Sequence, residues 1–142
     1  MTQEQKDLLL KDLCARLPYE VKYMDILNPD KPPSTLQSID NCGLVMANDG
    51  FSHEIENVKP YLFPLSSMTR AQREEFVKFA DYEPRLEDCG KHQELYYYDL
   101  VGHENNLYPN SDAIDWLDKN HFDYRGLIPM DLANDTTNLN IY

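Results

Sequence analysis

NSDAIDWLDKNHFDYRGLI, residues 110 to 128, holds the chain's only tryptophan, one of its four histidines and its clearest helix-then-turn pattern. Ser111 and Asp112 are both good N-caps and acids populate the first turn, so a short helix is expected to begin here. Ala113, Trp116, Leu117 and Asn120 fall three and four apart, as do Ile114, Leu117 and His121, which spreads the apolar side around Leu117. Lys119 and His121 stand near the expected C-terminus, where the dipole favours a cation, and Asn120 or His121 suits the left-handed capping conformation. Gly126 permits a sharp turn that brings Leu127 and Ile128 back to the same surface. Trp116, Phe122 and Tyr124 are therefore expected to meet Leu117 and Ile128 in one cluster, because an aromatic set of that size dominates local burial. A binding surface built on Trp116 and Tyr124 would call for the same residues.

Working outward to the N-terminus, Thr2 and Gln5 have capping-box spacing ahead of a helix whose Leu9, Leu10, Leu13, Cys14 and Leu17 form one stripe, closed by Pro18. Cys14 lies inside that stripe and is expected to be a small buried hydrophobe. After Pro18 the period changes. Residues 21 to 27, VKYMDIL, alternate as a strand, and a loop with three prolines ends it. Thr35 to Asp40 and Gly43 to Ala47 are further strand candidates. Asn48-Asp49-Gly50 is the strongest hairpin signal, pairing Leu44 to Ala47 with Phe51 to Ile55, where Phe51, His53 and Ile55 share a face. A strand at Tyr61 to Phe63 would curl this antiparallel meander toward an SH3-like barrel. Thr69 and Gln72 form a second capping box, opening a helix from Arg70 to Asp81 with Phe76, Val77 and Ala80 on its buried side. The fold class is thus α+β: one domain over residues 1–142, a small antiparallel sheet flanked by about three helices.

Residues 82–110 shift toward acids, amides and tyrosines and read as an insertion within that domain. Inside them QELYYYDLV, Gln93 to Val101, predicts a strand. Its run of Tyr96, Tyr97 and Tyr98 suits either a half-buried sheet face or a protein interface. Cys89 and His92 form one C-x-x-H pair that His103, with Asp88 or Glu104, would have to complete as a metal site. A structural zinc site normally presents two close-spaced pairs, and unrelated residues on a polar segment account for the pattern equally.

The strings LLLKDLCARLPY at residues 8–19, KPYLFPLSSMT at 59–69 and DWLDKNHFDYRGLI at 115–128 resemble a family of short uncharacterised proteins of gut bacteria and their phages or mobile elements. The likeness touches the start, middle and end of the chain but spans only about a quarter of its residues. It implies an intracellular, phage-associated setting. It carries no activity, because that family has none assigned.

Composition narrows the function classes. The chain has 142 residues, the size of one domain with a real core, and its apolar and charged fractions are those of a folded protein. Three scattered cysteines argue for reduced thiols, and neither a secretory leader nor a membrane span is visible, so a cytoplasmic location is expected. The formal net charge is −12. Residues 1–80 contribute 9 basic and 12 acidic residues, net −3, and residues 81–142 contribute 4 and 13, net −9. Such a balance argues against direct binding to nucleic acid and leaves room for a basic protein partner. Glycines occur singly, without a phosphate loop or dinucleotide fingerprint, so no cofactor is expected.

Three functions follow. The first is a protein-interaction module using the acidic, tyrosine-rich surface. The second is an acidic nucleic-acid mimic that occupies the groove of a DNA- or RNA-binding protein. The third is a small enzyme in which His121, oriented by Asp123 or Asp118 and joined by Arg125, surrounds a pocket. That constellation has no serine or cysteine in a nucleophile context. A helix-capping role for His121, and a sheet-face role for His53, explain the same residues without chemistry.

Overall fold

The computed structural model describes residues 1–80, 84–89, 92–98, 104–105 and 111–142, with backbone only between residues 80 and 105. Helix α1 spans Gln3–Arg16. Its capping box forms as the spacing predicts: Thr2 Oγ1 accepts from Gln5 N at 3.2 Å, and Gln5 Oε1 accepts from Thr2 N at 2.9 Å. Its buried face differs from the expected stripe. Leu9, Asp12, Leu13 and Arg16 are the buried residues, and Cys14 is exposed. The helix turns its charged i, i+4 pair inward, which rotates Cys14 out to solvent.

A short 3-10 turn, Leu17–Tyr19, leads into strands β1 (Lys22–Asp25), β2 (Ser34–Ile39), β3 (Val45–Ala47) and β4 (Ser52–His53), the antiparallel meander read from the sequence. At the β3–β4 hairpin Gly50 has φ +85°, a conformation that glycine adopts without strain, and Ala47 N donates to Phe51 O at 2.9 Å. Only Ser52 and His53 form the strand, so Phe51 stays exposed at the hairpin tip, outside the strand in which it was expected to share a face with His53 and Ile55.

Strand β5 (Val58–Pro64) organises the sheet. It pairs antiparallel with β1, in the register Tyr23 to Pro60, and parallel with two short strands from the far end of the chain. The sequence alone suggested three residues here, Tyr61 to Phe63; the strand begins earlier, at Val58, and both Pro60 and Pro64 lie within it. A 3-10 turn, Leu65–Ser67, precedes helix α2, Arg70–Ala80. Thr69 caps α2 in a second capping box with Gln72, and Phe76 is fully buried as expected.

Strands β6 (Pro84–Cys89), β7 (His92–Tyr98) and β8 (Glu104–Asn105) form an antiparallel sheet of their own within residues 82–110. Helix α3 (Ser111–Lys119), strand β9 (Phe122–Asp123) and strand β10 (Asn134–Asp135) complete the described chain. The main sheet runs β10-β5-β1-β2-β3-β4, with β9 also on β5. It is open and mostly antiparallel, so the suggested SH3-like closure does not form. After the two residues of β4 the chain enters the 3-10 turn Ile55–Asn57 and crosses to the opposite side of β1, which leaves β4 as an edge.

Two cores result. One lies between α1 and the sheet around Leu9, Leu13, Tyr23, Leu36, Val58 and Leu62. The other gathers Phe76, Trp116, Leu117 and Phe122 between α2 and α3. Trp116 stacks on Phe122, centroids 5.7 Å apart and planes within 10°, and meets Phe76 at 5.3 Å. The single cluster expected for residues 116–128 is thus divided. Tyr124 packs against the second core, whereas Leu127 and Ile128 belong to the first. Pairing of β9 with β5, followed by the turn at Gly126 (φ +74°), carries them onto the sheet.

Candidate functional site

The residues with the strongest chemical promise sit where the two cores meet. Arg16, in the last turn of α1, is fully buried. Its Nε donates to Asp12 Oδ2 at 2.8 Å, and its Nη2 donates to Asp12 Oδ1 at 3.1 Å and to the Phe122 carbonyl at 2.8 Å. Asp118 of α3 lies 3.5 Å from the same guanidinium. Arg125 Nε reaches Asp12 Oδ1 at 3.1 Å, and its guanidinium lies over the Tyr124 ring, 4.6 Å from the centroid. Tyr124 in turn donates from its hydroxyl to Asp118 Oδ2 at 3.2 Å. Burial of charge on this scale is tolerated only when each charge has a partner, as Asp12 provides for two arginines.

Burial raises the Asp118 carboxyl above the ordinary carboxylate range, against the pull of Arg16. Asp123 is raised by burial too, while the backbone N–H groups of Ile128 and Leu127, each donating to its carboxylate at 2.8 Å, oppose the rise. Its role is to cap the turn around Gly126.

His121 is the residue in which the sequence left both chemistry and capping open. It occupies the left-handed region (φ +58°) at the end of α3, and its N–H donates to Asp118 O at 3.1 Å. The imidazole is 9% exposed and stacks on Tyr142, centroids 4.0 Å apart. Its Nδ1 has no hydrogen-bond partner among the described residues. Burial, then the charges of Arg16 and Lys22, lower its pKa from 6.5 to about 4. Tyr142 holds the cover in place: its hydroxyl accepts from Lys22 N at 3.0 Å and donates to Tyr61 O at 2.9 Å.

His121, Asp123 and Arg125 are therefore neighbours in sequence with separate tasks. One is roofed by Tyr142, one caps a turn and one binds Asp12. Tyr124 is half-buried and joins the network through its hydroxyl on Asp118. Trp116 is 5% exposed and is a core residue with one edge at a groove. Sequence reasoning missed Asp12 and Arg16, although Arg16 lies three residues after Leu13 and seven after Leu9, on the buried face of α1.

The other candidates fall on the segment described by backbone alone. Tyr96, Tyr97 and Tyr98 lie on β7, and Cys89 and His92 are register partners across β6 and β7. Their side chains, and all of His103, lie outside the described residues. Among the described residues no three metal-ligating side chains converge, and no helix is long and apolar enough to cross a membrane. His53 takes the sheet-face role, edge-on to Tyr23 at 5.7 Å.

Two of the grooves among the described residues bear on binding. One, of about 420 Å³, separates α1 from the β2–β3 turn and has Leu10, Leu44 and Ile55 among its lining residues; the Lys6–Glu56 ion pair stands on its rim. The other, of about 330 Å³, lies between the Leu17–Tyr19 turn, α2 and α3, and is lined by Tyr19, Phe79 and Trp116 with Glu75, Asp112 and Asp115; Lys119 and Asn120 complete it. No protein-family model matches the chain, and neither does any curated protein or solved structure.

Proposed function

We propose that the protein is a non-enzymatic protein-interaction module that meets its partner through an acidic surface bearing exposed apolar side chains. The observation that carries this reading is the end of the sheet where the β1–β2 loop and the β3–β4 hairpin lie together. Leu27 is 69% exposed there, Phe51 61% and Ile26 41%, with Lys31 Nζ poised 5.3 Å from the centre of the Phe51 ring. Large apolar side chains grouped at one end of a sheet gain about 25 cal/mol per Å² when a partner covers them. Asp12, Arg16, Asp118 and Asp123 are at the same time buried against partners of their own, and His121 is covered by Tyr142. A formal charge of −12 favours a basic partner, drawn in electrostatically and then held by the apolar contact. The tyrosine run of β7 belongs to the same proposal as a second source of interface-type side chains.

Affinity purification of the tagged chain from its native host, at low and high salt, tests the reading. A specific partner retained by the wild type and lost from Phe51→Ser with Leu27→Ser is the expected result, with weaker recovery at high salt. Equal recovery by wild type and variant, or recovery of the bait alone at both salts, overturns it.

A further inference from the structure

We infer that the groove between α2 and α3 is a second docking site, one that seats an arginine or lysine side chain of a basic peptide segment. Its chemistry is that of a cation receptor with an apolar wall. Tyr19, Phe79 and Trp116 are the aromatic residues that line it, Phe79 being 40% exposed and Trp116 5%. Glu75, Asp112 and Asp115 are all exposed and make no hydrogen bond or ion pair among the described residues. With Lys119 as the single counter-charge, three carboxylates against one ammonium leave a formal −2 at the groove. An arginine or lysine combines a long aliphatic stem with a charged head, and both parts find their complement here: the stem on the rings and the head among the carboxylates. An acidic or neutral peptide gains only half of this.

The proposal shares with the preceding section the reading that the chain binds protein, but it does not use the Phe51 end of the sheet. The two can therefore fail separately.

The test is a titration of the full chain with a short fluorescently labelled peptide alternating alanine and arginine, followed by anisotropy and by the emission of Trp116, the only tryptophan in the chain. The comparison peptide carries citrulline, which keeps the shape of arginine without its charge. Arginine peptide binding that changes Trp116 emission, with citrulline binding much weaker, is expected. Glu75→Gln with Asp115→Asn should weaken it roughly threefold to tenfold. Glu4→Gln with Glu54→Gln removes the same charge from exposed positions outside the groove and should leave affinity unchanged within about twofold.

Equal weakening by both double variants would mean non-specific attraction to an acidic surface and would overturn the proposal. Equal binding of the citrulline peptide, or no binding up to about 1 mM, would do the same. Any of these results combined with a Phe51-dependent partner would remove the groove alone and leave the interaction module standing.

Discussion

The buried imidazole of His121 makes a sharp prediction about stability against pH. In the folded chain it is covered by Tyr142, faces the cations Arg16 and Lys22, and titrates at about 4 in place of 6.5. The native state thus refuses a proton that the unfolded state accepts. Stability from the neutral imidazole is fully present above pH 6.5 and is lost as pH falls from 6.5 toward 4. Since each tenfold difference in proton affinity is worth about 1.4 kcal/mol, the whole loss amounts to about 3 kcal/mol, a large share of a typical domain's stability. His121→Asn removes the titration while keeping a residue that tolerates the left-handed backbone of this position. Urea unfolding of both proteins across that pH window gives the difference directly, because the other acid-sensitive groups, Asp118 and Asp123 included, are common to both. Wild type should lose about 3 kcal/mol more than the variant on acidification. Parallel stability curves, or a His121 resonance that titrates near the ordinary value in an NMR experiment, would refute the argument.

Two further substitutions probe the frame. Asp12→Ala leaves Arg16 buried without its bidentate partner and frees Arg125, and should cost about 3–5 kcal/mol in chemical denaturation; a loss under about 1 kcal/mol would show that the network is not desolvated as described. Thr69→Ala deletes the cap of α2 and should cost about 1 kcal/mol, with thermal melting as the check.

How far the sequence could be read depended on whether a feature was local. Both capping boxes formed, because a cap is decided by residues three apart and by nothing else. The hairpin at Asn48-Asp49-Gly50 formed for the same reason. Strand β5 was only partly legible, since its partners β9 and β10 lie some 60 and 70 residues further on and its prolines argue locally against a strand. The candidate site failed for a related reason. In DKNHFDYRG the acids, histidine and arginine stand as a catalytic cluster would, but Asp123 is used by Leu127 and Ile128, and Arg125 by Asp12, more than a hundred residues away. A long-range ion pair leaves no periodic mark in a sequence. The one mark available was the position of Arg16 on the leucine face of α1, and charge masked it.

The same network gives the surface its geometry. Arg16 closes α1 and binds both Asp118 of α3 and the carbonyl of Phe122, so it fixes the end of one helix against the end of another. Tyr19 follows Arg16 by three residues, and Asp115 and Trp116 precede Asp118 by three and two. Two walls of the acidic groove therefore hang from opposite sides of one buried guanidinium. A surface ion pair would not hold them, because exposed pairs contribute little and exchange with water, whereas a buried pair cannot open without leaving a charge stranded. Sequestering Asp12 and Arg16 thus removes them from chemistry and commits them to placing the aromatic and carboxylate groups that face solvent.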